Sequence, residues 1–414
     1  MTAMHPPAAD IPDAVVRLLR RHPDAMVVAL DSARPALVRR DTLLVSGRDT
    51  PHVEDAARRW IDHCDNDTEC GFARISLRRD RGVDVAQLAR ELAGDSYRRR
   101  SVTPNHLLRG APDWWGGPAD QPQVPNDMPT APASGTPASR PVTVAILDTG
   151  IASHPWFEGE PWFADCAPED AERLDTTPPD DVMDSQAGHG TFVAGILRRH
   201  APGAQLVPMR VLASDGICDE LDLVRALYRL RRWSARRDQP IDVLNLSLGG
   251  YTVEDQPSPL VADALTALGR HTVIVACAGN AGSERLFWPA ALKNVVGVGA
   301  LDSDGSDRAP FSNYGWWVDA CAVGERVTSS FVTFDGPAPS TGDHDHDRFS
   351  GYAVWSGTSF ATPVVAGTIA ATMVSEDVAA TTAADRVLDA ANAVRSMPDL
   401  GVVVASGAPG STAT

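Results

Sequence analysis

Beyond residue 141, near-continuous apolar runs of strand length alternate with segments of helical periodicity. The runs occupy residues 142–147, 205–212, 241–248, 271–278 and 295–301, and helical patterns such as 220–233 and 259–268 lie between them. Strands that are apolar on both faces need cover on both. The pattern therefore predicts an α/β, doubly wound, mostly parallel sheet with helices on either side. Nearer the N-terminus the periods are shorter. β-type runs at 42–45, 72–77 and 101–103 alternate with amphipathic stretches at 53–63 and 83–92, which predicts a small β-α-β-α-β module with its helices on one sheet face. A short helix is expected over 11–21. Between the two regions, residues 110–141 hold eight prolines, the composition of an extended linker. The expected organisation is an N-terminal α/β domain over 1–109, a Pro-rich linker over 110–140, a large α/β domain over 141–400 and a flexible tail over 401–414.

Composition supports this division. The 414 residues are 43% hydrophobic and 22% charged, enough for one large core or two ordinary domains. Asp and Glu (54) outnumber Lys and Arg (37), for a net charge of -17, which argues against nucleic acid or an anionic membrane as partner. The first 140 residues are balanced, with 19 charges of each sign, so the excess belongs to the larger domain. The first 30 residues show no apolar signal core, and no uninterrupted apolar run approaches the ~20 residues of a spanning helix. The six cysteines have no C-x-x-C spacing and read as reduced thiols, with a Cys64–Cys70 bridge as the alternative in an exported protein. These features together predict a cytoplasmic location.

Four residues carry candidate chemistry. Asp148 ends the first strand of the large domain, where α/β sheets place working residues, although a turn or cap aspartate has the same look. His189 lies between Gly188 and Gly190 at the start of a helical pattern; taken alone it reads more as a cap or a surface residue than as a catalytic group. Ser359 precedes Pro363, which is tolerated only in a first helical turn, so its oxygen sits beside free N–H groups suited to an oxyanion. Asn280 follows another strand and is either a turn residue or a side-chain donor to that oxyanion. An unactivated serine needs a base, and the base needs an orienting group, so Asp148, His189 and Ser359 form a chemically sufficient set.

In this order on one sheet, the residues resemble the subtilisin-like serine proteases, the subtilase family. The likeness rests on VAILDTGI, GHGTFVAGI, DVLNLSLGG, VIVACAGN, WPAAL, FSNYG and SGTSFATPVVAG, and covers most of 142–374. It implies a serine endopeptidase with Asp148 orienting the histidine, His189 as general base and then acid, Ser359 as nucleophile and Asn280 in the oxyanion hole. It places Ser247, Leu248, Gly249, Gly250, Ala278 and Gly279, with the strand leading to them from Ala276, along the walls of a peptide-binding cleft. Peptide or protein is the implied substrate, no cofactor is needed for the chemistry, and structural calcium is allowed without an assignable motif. Two departures, Ala322-Val323-Gly324 where Ala-Pro-Gly is usual and Phe360 where methionine is common, touch no proton-transfer group. A non-hydrolytic peptide-binding or regulatory protein on the same fold is the alternative, opposed by the intact four-residue set.

The N-terminal module resembles the propeptide or inhibitor-like domains, ferredoxin-like in fold, that precede many subtilase catalytic domains. Val102-Thr103-Pro104-Asn105 matches the V-x-P-N close of such domains. The resemblance implies an intramolecular inhibitor, removed by self-cleavage in the linker; an unrelated, permanently attached domain is the other reading. Two acidic features stand apart. Ten carboxylates between Glu158 and Asp184 read as a solvated loop, with a cleft or cation site as alternative, and Asp343-His344-Asp345-His346-Asp347 reads as a surface loop rather than a metal site.

Overall fold

The computed structural model describes residues 13–29, 34–94, 99–110, 121–133, 135, 140–177, 179–339, 344–389, 391 and 395–405, with backbone alone at 13–14, 337–339 and 344–347. The N-terminal part comprises α1 (Asp13–Arg21), β1 (Ala25–Val28), β2 (Ala36–Ser46), α2 (Thr50–Ala57), β3 (Ile61–Asp67), β4 (Phe72–Leu77), α3 (Val85–Ala93) and β5 (Val102–Arg109). From β2 onward this is β-α-β-β-α-β, one strand more than the periodicity predicts. The extra strand is β3, so the expected 53–63 helix ends at Ala57. Asp84 caps α3 by accepting the N–H groups of Ala86 and Gln87. Val53, Ala57, Leu88 and Leu92 of the two helices bury against Leu43, Val45 and Ile75 of the sheet.

The large domain runs through β6 (Thr143–Asp148), α4 (Pro161–Ala164), α5 (His189–His200), β7 (Gln205–Arg210), β8 (Ile217–Asp219), α6 (Glu220–Arg237), β9 (Val243–Leu246), α7 (Pro259–Thr266), β10 (Val273–Cys277), β11 (Val295–Leu301) and β12 (Ala320–Val323). It closes with β13 (Val327–Pro339), β14 (His344–Trp355), α8 (Thr358–Glu376), α9 (Ala380–Val387), β15 (Ser396–Met397) and β16 (Gly401–Val403). Its sheet has the order β15-β16-β12-β11-β10-β9-β6-β7, parallel except for the β15–β16 edge. One face is covered by α5, α8 and α9 and the other by α6 and α7, so β6, β9 and β10 are buried along their whole length. Helix α8 is apolar enough for a membrane by length and composition, and it uses that character as the central helix of this core.

The two parts meet along α6 and β8. Strand β5 of the first sheet pairs antiparallel with β8, which joins the small sheet to the large domain. Within the linker, Gln123 exchanges backbone hydrogen bonds with Val354 of β14 at 2.9 and 2.8 Å. This described stretch is therefore docked rather than extended free.

Candidate active site

Strand β6 lies between β7 and β9, and the chain passes from β6 to β7 on one side before crossing back to β9 on the other. The loops beyond the carboxyl ends of β6 and β9 diverge at this reversal and open a crevice. Asp148 is the last residue of β6, Ser247 follows β9, and Asn280 lies just past β10.

Asp148 and His189 meet at the base of the crevice. The His189 Nδ1–H donates to Asp148 Oδ1 at 2.7 Å, and both side chains are 1% exposed. The same oxygen accepts the Thr149 N–H at 2.8 Å. A carboxylate partner at Nδ1 places the ring proton there, leaving the Nε2 lone pair for a substrate proton. Among the described residues Nε2 has no hydrogen-bond partner. Trp355 and Phe360 flank the ring at centroid distances of 5.5 and 5.3 Å and keep its surroundings apolar. The glycines beside His189 are steric requirements. Gly188 takes φ 83°, and a Cβ on Gly190 would sit 2.3 Å from the Gly150 carbonyl.

Ser359 is the second residue of α8. Pro363 is the sixth residue of α8 and lies beyond the first turn in which the sequence pattern expects it. Proline has no N–H, so the Ser359 carbonyl loses its i+4 helix partner. The Ser247 hydroxyl replaces it, donating to Ser359 O at 2.8 Å, and is itself held by Asn245 Nδ2 at 3.0 Å. One residue thus links the cleft wall to the helix that presents Ser359. Asn280 Oδ1 accepts both the N–H (2.8 Å) and the hydroxyl (2.9 Å) of Thr358, which fixes which way its amide faces. Its Nδ2 lies on the Gly357 side, 3.6 Å from where a Cβ on that glycine would be.

The crevice is occupied by the protein's own chain. The end of β5 runs between β8 and the segment after β9: Leu108 is in register with Cys218, and Arg109 and Gly249 exchange hydrogen bonds at 2.7 and 2.9 Å. Leu108 shares a small cavity with Leu223, Val261, Trp288 and Leu292. Gly110 lies against the imidazole, where a Cβ would be 3.6 Å from His189 Cε1. The Ser359 hydroxyl is 3.2 Å from the carbonyls of both Gly110 and Ser247.

The other sequence expectations divide. Gly250 meets the seated chain, since a Cβ there would be 3.0 Å from Leu108 Cδ2. Gly249 is instead required by the wall behind it, with Phe287 at 2.3 Å. Leu248, Ala276 and Ala278 are buried in the core beneath the cleft, and Gly279 takes φ 95°. The acidic stretch over 158–184 divides: Glu158, Asp165, Glu169, Asp180 and Asp181 are exposed, as a solvated loop expects, while three others are tied into the fold. Asp170 pairs with Arg229 and accepts Arg210 N–H, Glu160 pairs with Arg198, and Asp184 accepts N–H groups of Thr176 and Thr177 and the Ser214 hydroxyl. Asp170 and Glu160 are held by arginines of α6 and α5, and Asp184 holds its own loop to the turn at Ser214. The expected loop at 343–347 is corrected. His344 to Asp347 pair in β14 against residues 336–339, the histidine–aspartate alternation having a strand's period, and Asp343 lies outside the described residues. Among the described residues no group of three or more His, Cys, Asp or Glu side chains could hold a metal. Sequence reasoning missed Glu172, Thr149 and Thr191 around the Asp148–His189 pair; the polar D-T-G and G-H-G-T contexts were the available signal.

The chain is similar to known proteins. The subtilase family matches residues 139–399. Subtilisin BL of Lederbergia lenta is 33% identical over 239 residues, 55% of this chain and 75% of its own length. An extracellular basic protease of Dichelobacter nodosus is 32% identical over 276 residues, 56% of this chain and 43% of its own. The crystal structure of a cold adapted subtilisin-like serine proteinase covers 72% of this chain and 99% of its own at 24% identity, with a TM-score of 0.47. A parallel α/β sheet with an aspartate–histidine pair and a helix-borne serine defines a serine hydrolase. The chain belongs to the subtilase family, and it is a serine endopeptidase acting on peptide or protein substrates without a cofactor for the chemistry.

The expectation of a cytoplasmic location does not survive. The Dichelobacter nodosus relative is extracellular, which points to export. The thiols that suggested a reducing compartment are free and mostly buried for packing reasons, four of the six being inaccessible. They behave as small apolar side chains and carry no information on compartment.

Proposed function

We propose that Ser359 attacks the substrate carbonyl while His189, oriented by Asp148, takes its proton and later delivers it to the leaving amine. Asn280 and the Ser359 N–H receive the oxyanion, and Ser247 to Gly250 pair with the extended substrate. The buried 2.7 Å Asp148–His189 bond beside a serine at a helix start carries this reading. A fluorophosphonate probe tests it: the wild type, once active, labels and Ser359→Ala does not. Equal labelling of the two would refute it.

The N-terminal domain acts on this reading as an intramolecular inhibitor. Its support is the segment from Leu107 to Gly110, which fills the crevice in strand pairing on both sides. Strand addition by a chain end gives affinity through main-chain bonds, as a bound substrate would. Self-cleavage follows at the start of the linker, next to the Gly110 carbonyl that lies beside the Ser359 hydroxyl. Intact mass decides it. The wild type yields two products and Ser359→Ala yields one; identical full-length masses would overturn the cleavage.

A further inference from the structure

Between Asp148 and His189 in the chain lies a second buried carboxylate that the triad chemistry does not require. Glu172 follows Ala171, which bridges to Ile151, and its N–H donates to Ile151 O at 3.1 Å, pinning it beside the turn after β6. Glu172 Oε2 accepts the hydroxyls of Thr149 at 3.0 Å and Thr191 at 3.3 Å. Each hydroxyl accepts a backbone N–H in turn: Thr149 from Gly190 and Thr191 from Ala152, both at 2.9 Å. The Gly188 N–H also reaches this carboxyl group. Thr149 is the neighbour of Asp148, while Gly188, Gly190 and Thr191 surround His189. One carboxyl group therefore ties the turn carrying the aspartate to the helix start carrying the histidine, from both sides of the imidazole. Among the described residues, Glu172 Oε1 and Asp148 Oδ2 are both buried without a hydrogen-bond partner.

We propose that Glu172 is a positioning residue of the catalytic site, setting through Thr149 and Thr191 the placement of His189 against Asp148. This rests on the triad roles given above. Burial holds the Glu172 proton up to about 8, the Asp148 charge acts in the same direction, and the hydrogen bonds from Thr149, Gly188 and Thr191 oppose both. Around it stand Asp148 from β6, with His189 of α5 bonded beyond it, Asp170 and Arg173 on its own segment, and Arg210 at the end of β7, whose guanidinium donates to the Glu169 carbonyl. Above about pH 8 Glu172 places a second negative charge beside Asp148, which favours the imidazolium formed in the transition state.

The test is the pH dependence of kcat on a peptide substrate for the processed enzyme. The wild type is expected to show a rise through pH 8 that Glu172→Gln lacks, with the two within about threefold at pH 7. Glu172→Ala removes the acceptor of both threonines and is expected to lower kcat about 10- to 100-fold with KM little changed, the scale of a misplaced catalytic group. It should also move the His189 Nδ1 proton resonance, which a remote structural change on the same segment, Asp165→Ala, should leave in place. A wild-type kcat, KM and His189 resonance in Glu172→Ala overturn the proposal, and Thr191→Val, which removes one of the two bonds to the same carboxyl oxygen, decides the matter by the same readouts if Glu172→Ala fails to fold. Ser359→Ala separates the two levels. If it retains wild-type activity, the triad reading itself fails; if it is inactive while Glu172→Ala matches the wild type, only the role of Glu172 fails.

Discussion

The interior of the large domain and its boundary with the N-terminal domain are built from different materials. Inside, two apolar clusters sandwich a parallel sheet, with Val144, Ile146 and Val243 facing one and Leu147, Leu244 and Leu246 the other. At the boundary, the N-terminal domain contributes Leu44, Cys70, Phe72 and Leu108 to one shared cluster, and Ile217 of β8 joins Val15, Leu18, Ala25, Leu37 and Leu107 in a smaller one. Charge supplies much of the rest: Arg21 to Asp184, His22 to Asp215, Arg39 to Asp219 and Arg90 to Glu254 run from the small domain, and Arg225 to Asp67 runs back. At its centre the buried His106 donates to Glu220 at 2.6 Å and accepts the Val253 N–H at 3.2 Å, while Glu220 is also bonded by Ser258. Apolar burial is non-directional and hard to undo, whereas ion pairs at a rim are screened and weak. The domain interior rests mainly on apolar burial, and the boundary on polar pairs with smaller apolar contacts. The acidity of the large domain therefore includes a docking surface for the arginines of the small one.

Four perturbations probe this contrast. Ile369→Ala, in the fully buried part of α8, should lower unfolding stability by about 2–5 kcal/mol, read from denaturant unfolding. His106→Ala leaves Glu220 with only Ser258 and should weaken docking by about 1–3 kcal/mol, seen as earlier release of activity against a small peptide. An equal effect on global unfolding without release would erase the distinction between the regions. The third is pH. The Glu172 carboxyl is raised from 4.5 to about 8, so the folded state binds more protons than the unfolded state between those values. Stability from this group is full below about 4.5 and is lost as pH rises to about 8, a slope that thermal melts of Glu172→Gln should lack. Smallest is Arg90→Ala, whose half-exposed pair with Glu254 should contribute about 0–1 kcal/mol to docking and vanish in high salt.

What the sequence reveals follows from the range of the forces involved. Strands β6, β7, β9, β10 and β11 are legible because burial on both faces writes a continuous apolar run. Strand β3 is not. IDHCDND is a polar edge strand with no alternation to detect, paired on one side only. The hairpin of β13 and β14 hides behind glycine and prolines that read as loop. Asp148, His189, Ser359 and Asn280 stand out through glycine contexts and strand ends, and the structure brings the four to one crevice. The role of Ser247 toward Ser359 is invisible without the fold, because it answers a carbonyl orphaned by Pro363 on a helix 112 residues away. Nor can the Asp170–Arg229 pair be read from local pattern, since its partners lie 59 residues apart.

The chain seated in the crevice is covalently continuous with the domain it blocks. On the inhibitory reading its effective concentration at Ser359 is fixed by the tether, of millimolar order for a short flexible connection, and is the same in a dilute as in a crowded solution. A single cut beyond Gly110 changes the order of the reaction rather than the contacts. Rebinding becomes bimolecular, so occupancy falls with dilution and with destruction of the released domain. Activation then depends on total protein concentration, and enzyme stored concentrated stays silent until it is dispersed.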